Sequence, residues 1–185
     1  MKTIDQINFS GKKALIRVGN ETYKQQYGSY GLTTLQDKHV KITGNKLKLS
    51  FKGKNGIYHE INLAHTNLAR LVKKCKDIPG QELFQYYTPE GDRHSIDSGK
   101  INRYIKEVTC CDFTAKDFRT WAGTLQTLKE LAAYEYPENE NVRKKIIFSV
   151  LDQVAAKLRN TRAICKKSYV FPALLEDYES GELLP

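Results

Sequence analysis

Val40-Lys-Ile-Thr-Gly-Asn-Lys-Leu-Lys-Leu-Ser-Phe-Lys-Gly-Lys-Asn-Gly-Ile57 decides the fold class. Val40 and Ile42 alternate with Lys41 and Thr43, and Gly44-Asn45 follows as a turn. Leu47, Leu49 and Phe51 then alternate with Lys46, Lys48 and Lys52. A second turn, Gly53-Lys54-Asn55-Gly56, precedes Ile57, Ile61 and Leu63. Strict period 2 around turn residues is the pattern of half-buried antiparallel strands, and Asn-Gly is a strong hairpin signal. The stretch predicts a three-stranded antiparallel sheet over residues 38–63.

Downstream the apolar period becomes helical. Leu68, Leu71, Val72 and Cys75 share one face, with Thr66 as N-cap, and Asp77-Ile-Pro-Gly80 ends that helix. Thr88-Pro-Glu-Gly91 marks a turn, and Ile101, Tyr104, Ile105 and Val108 give the next helix. Thr114 and Asp117 resemble a capping box that opens a helix with Phe118, Ala122, Leu125, Leu128 and Ala132 on one face. Beyond Pro137 a further helix carries Val142, Ile146, Val150 and Val154, and a short last one includes Ala163, Ile164 and Tyr169. Upstream, residues 14–27 predict a short helix ended by Tyr27-Gly28-Ser29-Tyr30-Gly31. The class is α+β, a small sheet followed by a helical body.

Composition narrows the function classes. At 185 residues and 40% hydrophobic, the chain can bury a core. No apolar run approaches the roughly 20 residues that cross a bilayer, and Met1-Lys-Thr-Ile-Asp5 has no signal-peptide character. The expectation is a soluble intracellular protein without membrane contact. Cys75, Cys110, Cys111 and Cys165 lack C-x-x-C spacing, and His39, His59, His65 and His94 lack H-x-x-x-H spacing. Neither a disulfide framework nor a structural zinc site is expected. No phosphate-binding G-x-x-x-x-G-K-[ST] loop occurs, so chemistry without ATP, metal or other cofactor is expected. Thirty Lys and Arg against 21 Asp and Glu give a net charge of +9, spread along the chain as a basic surface suited to a polyanion.

Phosphoryl transfer without metal needs a nucleophile, cations for the non-bridging oxygens and an acid for the leaving oxygen. Spacing alone does not select these among 30 basic residues and 11 tyrosines. Resemblance does. Thr114-Ala-Lys-Asp-Phe-Arg-Thr-Trp-Ala-Gly-Thr124 resembles the signature segment of type IB DNA topoisomerases, especially the compact bacterial and poxvirus-like group. Four further segments agree in order: Leu15-Ile-Arg-Val-Gly-Asn20, Gly31-Leu-Thr-Thr-Leu-Gln-Asp-Lys-His-Val40, Phe51-Lys-Gly-Lys54 and Asn160-Thr-Arg-Ala-Ile-Cys-Lys-Lys-Ser-Tyr169. The resemblance covers about residues 14 to 178 and implies a sheet-plus-helices fold shared with tyrosine recombinases.

The resemblance also implies roles. Tyr169 takes the nucleophile position, forming a 3′-phosphotyrosyl link and freeing a 5′-hydroxyl. Arg17 and Arg119 match arginines that hold phosphate oxygens, and Lys54 matches the lysine that protonates the leaving oxygen. Asn160 stands where many relatives have histidine; its amide can donate to an oxyanion but carries no charge. The implied activity is relaxation of supercoiled double-stranded DNA by a monomer, cytoplasmic and nucleoid-associated. The whole of residues 1–185 is expected to form a single catalytic domain. Only about 13 residues precede the first motif, so the family's N-terminal clamp domain is expected to be absent. A tyrosine recombinase-like strand transferase is the alternative enzyme, although Lys-Asp-Phe-Arg-Thr-Trp fits topoisomerase better. A non-cleaving DNA-binding fragment is the alternative from another class, and a basic domain with chance matches the remaining one.

Nine residues separate Asn160 from Tyr169. One straight helix would place them roughly 14 Å apart along its axis and on opposite faces. Sharing one phosphate therefore requires a break, which Leu158-Arg-Asn-Thr161 offers with Thr161 as a new N-cap.

Overall fold

Gly44 takes a left-handed conformation, φ 60°, and folds Val40–Thr43 (β1) back onto Lys46–Lys52 (β2). Asn55 and Gly56, φ 62° and 76°, turn the chain again into Tyr58–Ala64 (β3). In the computed structural model, which describes residues 15–183, these strands form an antiparallel sheet in the order β1-β2-β3. Val40 pairs with Leu49, Ile42 with Leu47 and Leu49 with Ile61, so the alternating residues fall on one face, as expected. Leu47, Leu49 and Phe51 are buried, and Phe51 stacks on the His59 ring with centroids 4.8 Å apart. The opposite face is solvated and basic: exposed Lys41 lies directly across from exposed Lys48.

The chain divides into two compact units at Ala115–Lys116. In the first, the sheet is accompanied by Thr66–Lys76 (α2), whose Leu68, Ala69, Val72 and Cys75 are buried. The N-cap is His65 rather than Thr66. Its backbone is extended, its Nδ1 accepts from the Leu68 amide at 3.1 Å, and Thr66 becomes the first helical residue. A second hairpin, Gln85–Tyr87 (β4) with Arg93–Ser95 (β5), flanks the Thr88–Gly91 turn. Its three-residue arms are too short and too exposed to show a period. Ser98–Thr109 (α3) follows, N-capped by Asp97, with Ile101 and Ile105 buried.

The predicted helix over 14–27 is corrected. Ala14 lies outside the described residues; of the rest of that stretch, only Glu21–Tyr27 (α1) is helical, and residues 16–20 have no regular structure. Leu15 and Gly19 have φ of 50° and 110°, which no helix accepts, and Asn20 caps α1 by accepting from the Thr22 and Tyr23 amides. Residues 17–33 form a closed loop instead. Leu32 and Thr33 donate their amides to the carbonyls of Arg17 and Val18 at 2.8 and 2.6 Å. Gly31 permits this closure, since a Cβ there would lie 2.5 Å from the Gly19 backbone.

The second unit is helical: the rest of Ala115–Leu131 (α4), Glu140–Leu158 (α5), Arg162–Ser168 (α6) and Pro172–Ser180 (α7). Ile147, Val150, Leu151, Val154, Ala155 and Leu158 bury one face of α5. The buried ridge of α4 is Arg119, Gly123, Thr127 and Leu131. The expected apolar face is thus displaced by about one position, and Leu125 and Leu128 are each 38% exposed. Among the described residues, no helix is long and apolar enough to cross a membrane.

His39 ties this fold to pH. It is buried, its Nδ1 accepts from the Gln36 amide at 3.0 Å, and its ring meets Tyr30 edge-on. Burial, then the adjacent Lys38 charge, hold the imidazole below its ordinary pKa of 6.5. The unfolded chain therefore takes up this proton at higher pH than the folded one. Its contribution to stability is full above pH 6.5 and is lost as the pH falls through the lowered folded value. The urea midpoint is expected to drop between about pH 7.5 and about pH 5, and to drop less in His39→Gln. Equal drops in both proteins would assign the effect elsewhere.

Candidate active site

Leu158 is the last residue of α5, so its carbonyl has no partner within the helix. Arg119 Nη2 donates to it at 2.9 Å, and Asn160 Nδ2 donates to the same oxygen at 3.4 Å. Arg119 is 5% exposed, and its guanidinium carbon lies 5.1 Å from the centre of the Tyr169 ring. The second unit thus brings three of the expected residues, Arg119, Asn160 and Tyr169, into one cluster.

The chain path makes this possible. Arg159 adopts a left-handed conformation, φ 53° and ψ 55°, and ends α5. Thr161 then N-caps α6, its hydroxyl accepting from the Ile164 amide at 3.3 Å. The break falls where the Asn160–Tyr169 spacing requires it. Tyr169 is the C-cap of α6, half-buried, with its amide donating to the Cys165 carbonyl at 2.9 Å. Burial pushes the Cys165 thiol up to about 11, with the Arg119 charge opposing. That thiol stays protonated and serves packing rather than nucleophilic chemistry.

Successive positions of α4 hold the segment that carries Tyr169. The Thr120 hydroxyl donates to the Ser168 carbonyl at 3.4 Å, and the Phe171 amide donates to Thr124 Oγ1 at 3.0 Å. Between them, Gly123 faces the Tyr169 carbonyl so closely that a Cβ would lie 2.3 Å from its oxygen. Sequence reasoning did not single out Thr120, Gly123 or Thr124. A glycine inside an otherwise regular helix was the available signal, since it costs about 1 kcal/mol unless something must approach.

Arg17 and Lys54 belong to the first unit. Arg17 is half-buried at the foot of the closed loop. Lys54 is exposed on the turn Lys54–Gly56 that joins β2 to β3. Its ammonium lies 5.4 Å from the centre of the Tyr23 ring. A groove of about 460 Å³ lies alongside, lined by Tyr23, Tyr27, Ser29, Lys52, Lys54, Asn55 and Gly56. The exposed Lys52 and Lys54 ammonium groups suit a phosphate-bearing ligand. Among the described residues, no three His, Cys, Asp or Glu side chains are grouped to hold a metal ion.

The family model described as "Eukaryotic DNA topoisomerase I, catalytic core" matches residues 10–181. A DNA topoisomerase 1B of Acanthamoeba polyphaga mimivirus is 34% identical over 173 residues, or 90% of this chain and 52% of that protein. A DNA topoisomerase 1B of Vaccinia virus (strain Copenhagen) is 25% identical over 169 residues, or 87% and 49% respectively. A DNA topoisomerase I of Monkeypox virus matches to the same extent. The chain spans about half the length of the curated relatives it matches.

The approach of Tyr169 to α4 has a direct test. Gly123→Ala places a methyl against a backbone oxygen and is expected to lower stability by about 1–3 kcal/mol, measured by urea unfolding. An exposed helical glycine would instead gain about 1 kcal/mol on the same change. Stabilisation by that amount would mean that the Tyr169 carbonyl does not lie against the helix.

Proposed function

Since the chain belongs to the type IB DNA topoisomerase family, on a match to its catalytic core over residues 10–181, we propose that it relaxes supercoiled duplex DNA through a covalent 3′-phosphotyrosyl intermediate. The observation that supports this most is the cluster in the second unit. Arg119 and Asn160 share the Leu158 carbonyl, and Arg119 lies over the ring of Tyr169, the residue at the family's nucleophile position.

In this reading the Tyr169 hydroxyl gives its proton to water and its oxygen bonds the phosphorus. The bond from phosphorus to the 5′-oxygen breaks, and Lys54 passes a proton to that oxygen. One phosphodiester is exchanged for another ester of similar energy, so resealing is the reverse step and no ATP is consumed. The forked guanidinium groups of Arg17 and Arg119 hold the non-bridging oxygens and stay charged at any working pH. Asn160 donates an amide hydrogen to the same phosphoryl group and carries no proton away. The chain acts as the catalytic domain, as a monomer on duplex DNA, cytoplasmic and at the nucleoid.

Plasmid relaxation without ATP, with trapping of a covalent adduct on nicked DNA, tests the reading. Wild-type protein is expected to relax plasmid and to form the adduct. Tyr169→Phe, which removes one oxygen, is expected to fold and to form none. DNA binding by the wild type with neither relaxation nor adduct would leave a binding module in place of an enzyme.

The acid role of Lys54 has its own test. An alkoxide leaves poorly, so Lys54→Ala is expected to slow cleavage by about 10² to 10⁴. A thiolate leaves without protonation, so sulfur at the bridging 5′ position is expected to restore cleavage in Lys54→Ala and not in Arg119→Ala. Equal defects on both substrates would make Lys54 a positioning cation.

A further inference from the structure

Helix α1 buries none of its residues, yet the fold holds it firmly. Asn20 caps its start, and Gly28 ends it in a left-handed conformation. Lys24, the side chain on its sheltered side at 13% exposure, pairs with Glu82 at 2.9 Å and Glu21 at 3.0 Å. Just past the helix, the Tyr30 amide donates to the Lys52 carbonyl at 2.8 Å, which ties the loop to β2 two residues before Lys54. The two tyrosines of α1 add nothing to a core: Tyr23 and Tyr27 are 45% and 60% exposed, with ring centroids 5.7 Å apart. A helix that covers no core is held in place for what it presents, and what Tyr23 presents is a ring 5.4 Å from the Lys54 ammonium.

We propose that Tyr23 is a positioning residue for Lys54, its ring face holding the ammonium in the direction from which it protonates the leaving oxygen. The proposal rests on the acid role given to Lys54 above. A lysine on an exposed turn has four rotatable bonds, and proton transfer requires its nitrogen within hydrogen-bond reach of one oxygen. A cation over an aromatic face restricts that search while leaving the N–H bonds free to donate. The backbone supports the arrangement. Asn55 and Gly56 take left-handed conformations that shape the turn, and Gly53 leaves room for His59, since a Cβ there would lie 2.4 Å from its Nε2.

Single-turnover cleavage of matched oxygen-bridged and sulfur-bridged DNA substrates by the full chain tests this. Tyr23→Leu is expected to slow the oxygen substrate about 2- to 5-fold, the rate equivalent of an exposed cation–π contact, and to leave the sulfur substrate at the wild-type rate. Tyr23→Phe, which keeps the ring, is expected to match wild type on both. In a Lys54→Ala background, Tyr23→Leu is expected to have no further effect on the oxygen substrate. Equal slowing of both substrates by Tyr23→Leu would make Tyr23 a DNA contact and overturn the proposal, as would wild-type rates on both. If sulfur fails to rescue Lys54→Ala itself, the acid assignment falls and the proposal with it. Selective rescue of Lys54→Ala without a selective defect in Tyr23→Leu removes the role of Tyr23 alone.

Discussion

The carbonyl of Leu158 sits at the negative end of α5, where a positive group is favoured and a donor is owed. Arg119 meets both needs. A guanidinium that is 5% exposed would be costly if nothing offset its desolvation. The helix end offsets it with a hydrogen bond and a favourable dipole, leaving the guanidinium over the Tyr169 ring. Asn160 reaches the same oxygen because α5 stops one residue before the left-handed Arg159. Continuing α5 by a single turn would satisfy the carbonyl internally and release both side chains.

The Tyr169 segment is held from the other side by α4. Threonine hydroxyls at 120 and 124 bracket a glycine, so two hydrogen bonds and one close backbone approach fix residues 168–171 without any large side chain between. This explains why the buried ridge of α4 runs through Arg119, Gly123, Thr127 and Leu131. Close approach decides the face, and hydrophobicity follows. Thr127 is tolerated at full burial because its hydroxyl donates to the Gly123 carbonyl at 2.9 Å within its own helix.

Legibility follows the range of the forces involved. The sheet was readable because period 2 and turn residues act locally, and the break at Leu158–Thr161 because Thr161 signals its own cap. Helix α1 began later than its apolar residues implied, since Leu15, Ile16 and Val18 mimic a helical face while the ties from Leu32 and Thr33 to Arg17 and Val18 come from more than ten residues away. The ridge of α4 was misplaced for a related reason: nothing in residues 115–131 announces that the Tyr169 carbonyl will arrive at Gly123. Arg17, Lys54, Arg119, Asn160 and Tyr169 are singled out by family motifs alone, because side chains of ordinary type carry no mark of their chemistry. Nothing in the sequence distinguishes Tyr23 among 11 tyrosines.

The lysines facing one another across β1 and β2 have a consequence for solution behaviour. Like charges directly opposite in a sheet destabilise it, yet Lys48 also pairs with Glu60 at 2.9 Å, and dissolved ions weaken repulsion and attraction alike. Ionic strength therefore pulls the molecule in two directions. The same ions relieve the repulsion between Lys41 and Lys48 and loosen the pair that Lys48 makes with Glu60 on the neighbouring strand.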